Sequence, residues 1–182
     1  MTQSMQTPRG TVVIRAANQA DAMQFRELRL EALQDSPTAF SADYQMNVNQ
    51  PMSYWEGRLS EDDHAITFLA EHEHHLIGLT GIARGRSVKT QHGAGIWGVY
   101  VQPAWRGLHI AEALLEACIH WANAREVNIV RLAVVSTNES AIQCYKRCGF
   151  TVYGIEPRAL YFEGQYYDEF LMCRSTNSTK EK

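Results

Sequence analysis

Between Val99 and Leu115 the chain changes hydrophobic period, and that change demands a strand that runs through a tight corner into a helix. Trp97, Val99 and Val101 alternate, as a half-buried strand requires. Pro103 has no N–H to give to a ladder and ends it. From Ile110 onward the apolar positions are Ile110, Ala113, Leu114, Ala117, Cys118 and Trp121, the spacing of one helix face. Between the two lies Arg106-Gly107-Leu108, a turn with one position free of a side chain. The first turn of a helix carries unpaired N–H groups and the positive end of its dipole. Such a corner is shaped to hold an anion. Taken alone, it is more often a plain connection with no ligand.

The residues downstream change that balance. Val130–Ser136 reads as a short apolar strand. Asn138 then opens a helix carrying Ala141, Ile142, Cys144, Tyr145 and Cys148, and Gly149 stands where a helix C-cap is expected. Here the chain resembles a known family. Arg106-Gly107-Leu108-His109-Ile110-Ala111 is similar to the Arg/Gln-x-x-Gly-x-Gly/Ala loop of the GNAT superfamily of N-acetyltransferases. Asn138-x-x-Ala141-x-x-x-Tyr145-x-Arg147-x-Gly149-Phe150 resembles the second half of the same signature, in the family's order and at its separation. His109 departs from the pattern, because the fourth loop position is usually glycine.

The resemblance spans Val12 to Arg174. It implies an α/β fold of the α+β kind: a central mixed, mostly antiparallel sheet of six to seven strands with a splayed parallel pair in its middle, flanked by about four helices. It implies acetyl transfer from acetyl-CoA to a primary amine by direct attack, with acetyl-CoA as co-substrate. The amides of Gly107, Leu108, His109, Ile110, Ala111 and Glu112 would cradle the pyrophosphate, with Arg106 beside them. The Glu112 carboxylate would repel phosphate and is expected to face away. Backbone of Val99, Tyr100 and Val101 would pair with the pantetheine arm and present an N–H to the thioester oxygen. Asn138 and Ala141 would border the arm, although Asn138 also serves as a plain N-cap. Tyr145 would protonate the departing thiolate, a phenol being protonated at neutral pH. Without the motif, Tyr145 reads as a core tyrosine. An acyl-CoA-binding sensor with the same fold and little catalysis is the alternative.

The general base does not emerge. Ala133 and Gly95 occupy regions where some family members carry glutamate. His92, Glu71, Glu163 and Asp168 remain, none at a matching position.

Composition bounds the rest. The 182 residues suit one domain, with 45% hydrophobic and 20% charged residues. A net charge of −3 gives no electrostatic footprint for nucleic acid or an anionic membrane. No basic segment followed by an apolar run marks a signal peptide, and no run suits a membrane span. Cys118, Cys144, Cys148 and Cys173 suit free, mostly buried thiols in a reducing compartment, so the cytoplasm is expected. The partners expected are acetyl-CoA and a small amine or peptide acceptor, with a homodimer left open.

In chain order, Met1–Gly10 reads as a disordered tail, Thr11–Arg174 as a single domain and Ser175–Lys182 as a polar tail. Thr11–Arg15 is a short strand. Asn18 caps a helix that stops before Pro37. Ser53-Tyr54-Trp55-Glu56 matches a capping box, which predicts a helix from Tyr54 to about Ser60. Phe40, Tyr44, Tyr54 and Trp55 either wall an acceptor site or simply cover the sheet. Ala65–Ala70 and Leu76–Ala83 are strands joined by the polar turn Glu71–His75. Its His72, His74 and His75 are purely local and read as solvated, so no metal is expected. Thr151–Glu156 begins a strand, and Tyr166–Cys173 ends the sheet after a turn at Glu163-Gly164.

Overall fold

Period-2 alternation in the strands fixes which side chains serve which face of a single eight-stranded sheet. The strands of the computed structural model, which describes residues 2–60 and 62–176, are β1 (Thr2–Thr7), β2 (Gly10–Ala16), β3 (Ala65–His72), β4 (His75–Arg84), β5 (Gly93–Val101), β6 (Ile129–Val135), β7 (Thr151–Phe162) and β8 (Gln165–Ser175). They lie in the order β1-β2-β3-β4-β5-β6-β8-β7. Only β5 and β6 run parallel; every other neighbouring pair is antiparallel. In β3, Phe68 and Ala70 join one apolar cluster and Leu69 the other. The period of two thus divides the core between two layers. The helices α4 (Ile110–Asn123) and α5 (Glu139–Arg147) cover one layer. The other lies under α1 (Ala22–Asp35), α2 (Tyr44–Val48) and α3 (Met52–Arg58). Leu76 to Ile82 of β4 are buried throughout, as a strand covered on both faces must be. Phe25 and Trp55 meet edge to face at 6.0 Å, both without solvent exposure. Each such ring contributes roughly 1.5–3 kcal/mol by burial.

The mixed sheet with a parallel pair in its middle is as the family resemblance implies, with one strand more than the upper count. The addition is β1. Thr2–Thr7 is not a disordered tail: it pairs residue for residue with β2, and Thr7 Oγ1 donates to the Gly10 carbonyl at 2.8 Å across the turn. Met5 alone of its residues packs on the core, so hydropathy carried no strand signal and backbone pairing holds the segment. At the other terminus, Ser175 closes β8; residues 177–182 of the expected polar tail lie outside the described residues.

Three local readings shift. The helix predicted from Tyr54 begins at Met52 instead, because Pro51 takes the N-cap position with φ −67° and no side-chain cap forms. The aperiodic stretch before it contains α2, which Asp43 caps by accepting from the Met46 amide at 3.0 Å. The β3–β4 turn is only Glu73-His74, both left-handed at φ 46° and 67°. Asn-Gly would have announced that geometry; Glu-His does not.

Candidate active site

The corner after β5 has the geometry its sequence suggests. Gly107 is left-handed at φ 77°, and a Cβ there would meet nothing within 4 Å. Backbone conformation, not crowding, makes glycine the residue for this point. His109 is left-handed too, at φ 59° and ψ 20°, and caps α4 without a side-chain hydrogen bond. That conformation explains why glycine is the usual occupant, and histidine is among the residues that tolerate it. The first turn of α4, whose leading amides have no helical partner, borders a cavity of about 730 Å³.

The cavity gathers most of what the sequence nominates. Val99, Tyr100, Val101, Arg106, Gly107, His109, Ile110, Ala111, Glu112, Asn138, Ala141 and Tyr145 all line it. Leu108 does not; its half-buried side chain packs on the core beneath α4. On α5, Asn138 Oδ1 accepts from the Ala141 amide at 3.2 Å and from Ser140 Oγ at 3.0 Å, the N-cap role. Its amide nitrogen has no protein partner among the described residues, so the cap leaves a donor free.

A second recess opens between β5 and β6. The two strands pair only at Gly93–Ile129, Ala94–Val130 and Gly95–Arg131, then diverge. On the other side of β5, Leu79 opposes Tyr100 while Gly81 opposes Trp97, so β5 carries one extra residue there. That is a β-bulge, with Gly98 at its left-handed position, φ 70°. The resulting gap of about 80 Å³ is lined by Phe40, Trp97, Gly98, Val99, Ala133, Val135 and Tyr145, among others. Val99, Asn138, Ala141 and Tyr145 border gap and cavity alike, joining them.

Tyr145 is buried, its ring edge on Phe150 at 6.3 Å. Its hydroxyl has no hydrogen-bond partner among the described residues. Burial, with the Cys144 and Cys148 thiols nearby, pushes the phenol well above its ordinary range, so it holds its proton across neutral pH.

The charges at the mouth are already engaged. Arg106 donates through Nε to the Val101 carbonyl at 3.0 Å and pairs with Asp35. Glu112 is among the residues that line the cavity. Its carboxylate is held in the wall by Arg147 at 2.6 Å and by His109 Nδ1 at 3.2 Å. Burial works against that charge, but the Arg147 hydrogen bond, the helix amide and His109 hold the carboxyl below its usual range. The neutralised glutamate is thus tolerable beside an anion. Tyr100 contributes backbone to the cavity, while its hydroxyl points to the α1 face and donates to Glu31 at 3.0 Å.

None of the four base candidates lines the cavity or the gap. Glu71 is paired with Arg15 at 2.6 Å, and Asp168 accepts from the Arg158 amide at 2.8 Å. His92 precedes β5, and Glu163 lies in the β7–β8 turn. The three histidines of the β3–β4 hairpin disperse: His72 packs on Trp105 at 4.6 Å, and His74 is solvent-exposed. Among the described residues no three His, Cys, Asp or Glu side chains group to hold a metal ion. All four cysteines are free thiols. No described helix is long and apolar enough to cross a membrane.

Of the predicted aromatic wall, Phe40 borders both the cavity and the gap, and Trp55 is buried in the α1 face of the core. A residue the sequence reading missed stands beside Phe40. The Arg29 guanidinium lies 4.5 Å from the Phe40 ring centroid, and the residue is 5% exposed.

The Acetyltransferase (GNAT) family model matches residues 25–150, from the first helix through the end of the second motif. The chain belongs to this family. GNAT-type structures superpose over nearly the whole chain. An acetyltransferase of the GNAT family from Streptococcus pneumoniae matches with TM-score 0.81 and 24% identity, over 90% of this chain and 98% of that one. A putative acetyltransferase from Salmonella typhimurium, solved with its cofactor acetyl-CoA, matches with TM-score 0.76 and 20% identity, over 94% and 97%. These likenesses concern the fold. In sequence, the streptothricin acetyltransferase of Escherichia coli is 35% identical over 63 residues, 35% of this chain and 36% of that protein. The match thus spans about a third of that relative's length.

Proposed function

We propose that this protein transfers an acetyl group from acetyl-CoA to a primary amine, with Tyr145 protonating the CoA thiolate. The observation that carries this reading is Tyr145, a buried residue whose hydroxyl has no described protein partner, on the border shared by the helix-corner cavity and the gap beside the β5 bulge. The amides around Gly107 to Glu112 receive the pyrophosphate, and the pantetheine arm follows the backbone of Val99–Val101 toward the gap. The neutral amine attacks the thioester carbon. A β5 backbone N–H stabilises the oxygen as it becomes negative. The C–S bond then breaks, sulfur keeps the electron pair, and the Tyr145 O–H supplies its proton. The burial that raises the phenol also disfavours a naked thiolate, so proton transfer coincides with cleavage. The amine's surplus proton leaves to water, no carboxylate in the lining being free to take it.

The test is Tyr145→Phe, which keeps the ring and removes only the donor. Loss of a general acid costs about 10²- to 10⁴-fold. Free-thiol release on a good acceptor should show kcat at least about a hundredfold lower, with KM for acetyl-CoA little changed. Near-full kcat would reduce Tyr145 to packing. One observation favours the second reading, an acyl-CoA-binding sensor: none of the four base candidates lines the site. A protein that binds acetyl-CoA yet releases no thiol with any amine would establish it.

A further inference from the structure

Arg29 has no reason to be where it is unless something else completes its surroundings. It lies in the apolar face of α1, among Phe25, Leu28, Ala32 and Leu33, and is 5% exposed. Its Nε and Nη1 are buried with no hydrogen-bond partner, and among the described residues no carboxylate pairs with it. Its guanidinium stacks on the Phe40 ring face, at 4.5 Å. An uncompensated charge in such a place is strongly unfavourable. A second cation aggravates it. Arg58 of α3, stacked 4.6 Å from the Trp97 ring and bonded to Tyr54 Oη at 3.0 Å, repels Arg29. Two guanidiniums thus share one side of the sheet, and neither has a carboxylate partner among the described residues.

Arg29 lies behind the wall of the gap, because the Phe40 ring it stacks on borders that gap, as does the Trp97 ring under Arg58. A Cβ on Gly98 would lie 3.6 Å from Arg29 Nη1. Glycine at the bulge therefore sets backbone alone, with no side chain, beside that nitrogen, and Gly98 itself borders the gap. Phe40, Trp97 and Gly98 border that gap from the α1 face, opposite Tyr145 of α5.

We infer that Arg29 is the anion-binding residue of the acceptor subsite, and that the acceptor is a small amine bearing a carboxylate, as a free amino acid does. The inference rests on the N-acetyltransferase reading and names its substrate class. A planar carboxylate matches the guanidinium fork with two parallel hydrogen bonds. The gap of about 80 Å³ suits a group of that size rather than a sugar phosphate. A diamine or polyamine would bring a further cation against the unpaired Arg29 guanidinium, so cationic acceptors are disfavoured. The acceptor enters from the α1 face and acetyl-CoA from the α4–α5 face, and their reacting ends meet beside Gly98.

The test compares matched amines by free-thiol release from acetyl-CoA: alanine against ethylamine, leucine against isoamylamine, phenylalanine against phenethylamine. The wild-type protein should favour the carboxylated member by about 10- to 100-fold in kcat/KM, the worth of charged hydrogen bonds. Arg29→Gln should collapse that ratio, chiefly through KM, and Arg29→Lys should restore part of it. A wild-type preference for the decarboxylated amines, or an unaltered ratio in Arg29→Gln, overturns the inference. Thermal unfolding separates a structural pillar from a ligand group: Arg29→Gln should melt no lower than wild type, and a large drop would mean that Arg29 serves packing. If no amine releases thiol, the acetyltransferase reading falls, and calorimetry of alanine, leucine and phenylalanine on the CoA-loaded protein decides the subsite. Binding lost in Arg29→Gln upholds it; no binding by the wild type overturns it.

Discussion

Gly107 separates two demands that a phosphate-binding corner makes on one residue. Its left-handed φ of 77° penalises any side chain, yet no atom lies within 4 Å of the missing Cβ. Gly107→Ala should therefore cost about 1 kcal/mol of stability, the ordinary penalty of that conformation. Gly107→Glu should cost a similar amount and also set a negative charge among the α4 amides. In calorimetry the glutamate variant should lose CoA affinity well beyond the alanine variant, and equal affinities would place the phosphates elsewhere. Residues of this kind are legible in a sequence because type and spacing carry the message: glycine at a strand–helix corner, asparagine before a helix, tyrosine a turn and more beyond it. Arg29 was not legible in that way, since an arginine in a helix reads as a solvated cation. The signal was positional. Phe25, Leu28, Ala32 and Leu33 place residue 29 inside the buried stripe of α1, and a charge inside such a stripe asks for a partner.

Among the elements, those with a strong period declared themselves and those held by pairing did not. The α4 face from Ile110 to Trp121 needed nothing but its own spacing. β1 needed β2, and the five-residue α2 needed Asp43 and the body of the protein beneath it. The β7–β8 ribbon holds a tension of another sort, because Glu156 and Glu169 are directly opposed across it. Burial, then the Glu156 charge, raises the Glu169 carboxyl above its ordinary value. A carboxyl raised in the folded state is penalised when ionised, so this pair costs stability at neutral pH and nothing once the pH falls below the unfolded value, about 4.3. Glu169→Gln should accordingly raise the melting temperature at pH 7 by the equivalent of about 0.2–1 kcal/mol, as expected for relieving like charges across strands. The gain should vanish near pH 4 and below. A gain that persists in acid would trace to packing rather than charge.

At the scale of the whole molecule, one sheet separates two apolar layers, and the reaction proposed here draws one reactant from each side. The architecture was legible through the resemblance to the GNAT family, whose order of helix-period and strand-period segments the chain follows. The bulge at Gly98 was hinted at by the glycines of β5, while its exact register depends on β4 and could not be read from β5 alone. The three-rung junction of β5 and β6 has a further bearing on motion. Past Gly95, no ladder ties one half of the sheet to the other, so backbone amides along that seam have solvent as their alternative partner. Slow, local breathing of the two half-sheets is the expected result. Amide hydrogen exchange should report it: without cofactor, Val99–Val101 should exchange much faster than the Leu79 and Ile82 amides of β4. Saturating acetyl-CoA should slow the former selectively, its arm standing in as the missing strand. The protein then has a molecular suture whose thread is the arm of its own co-substrate, drawn tight for as long as that arm lies in the seam.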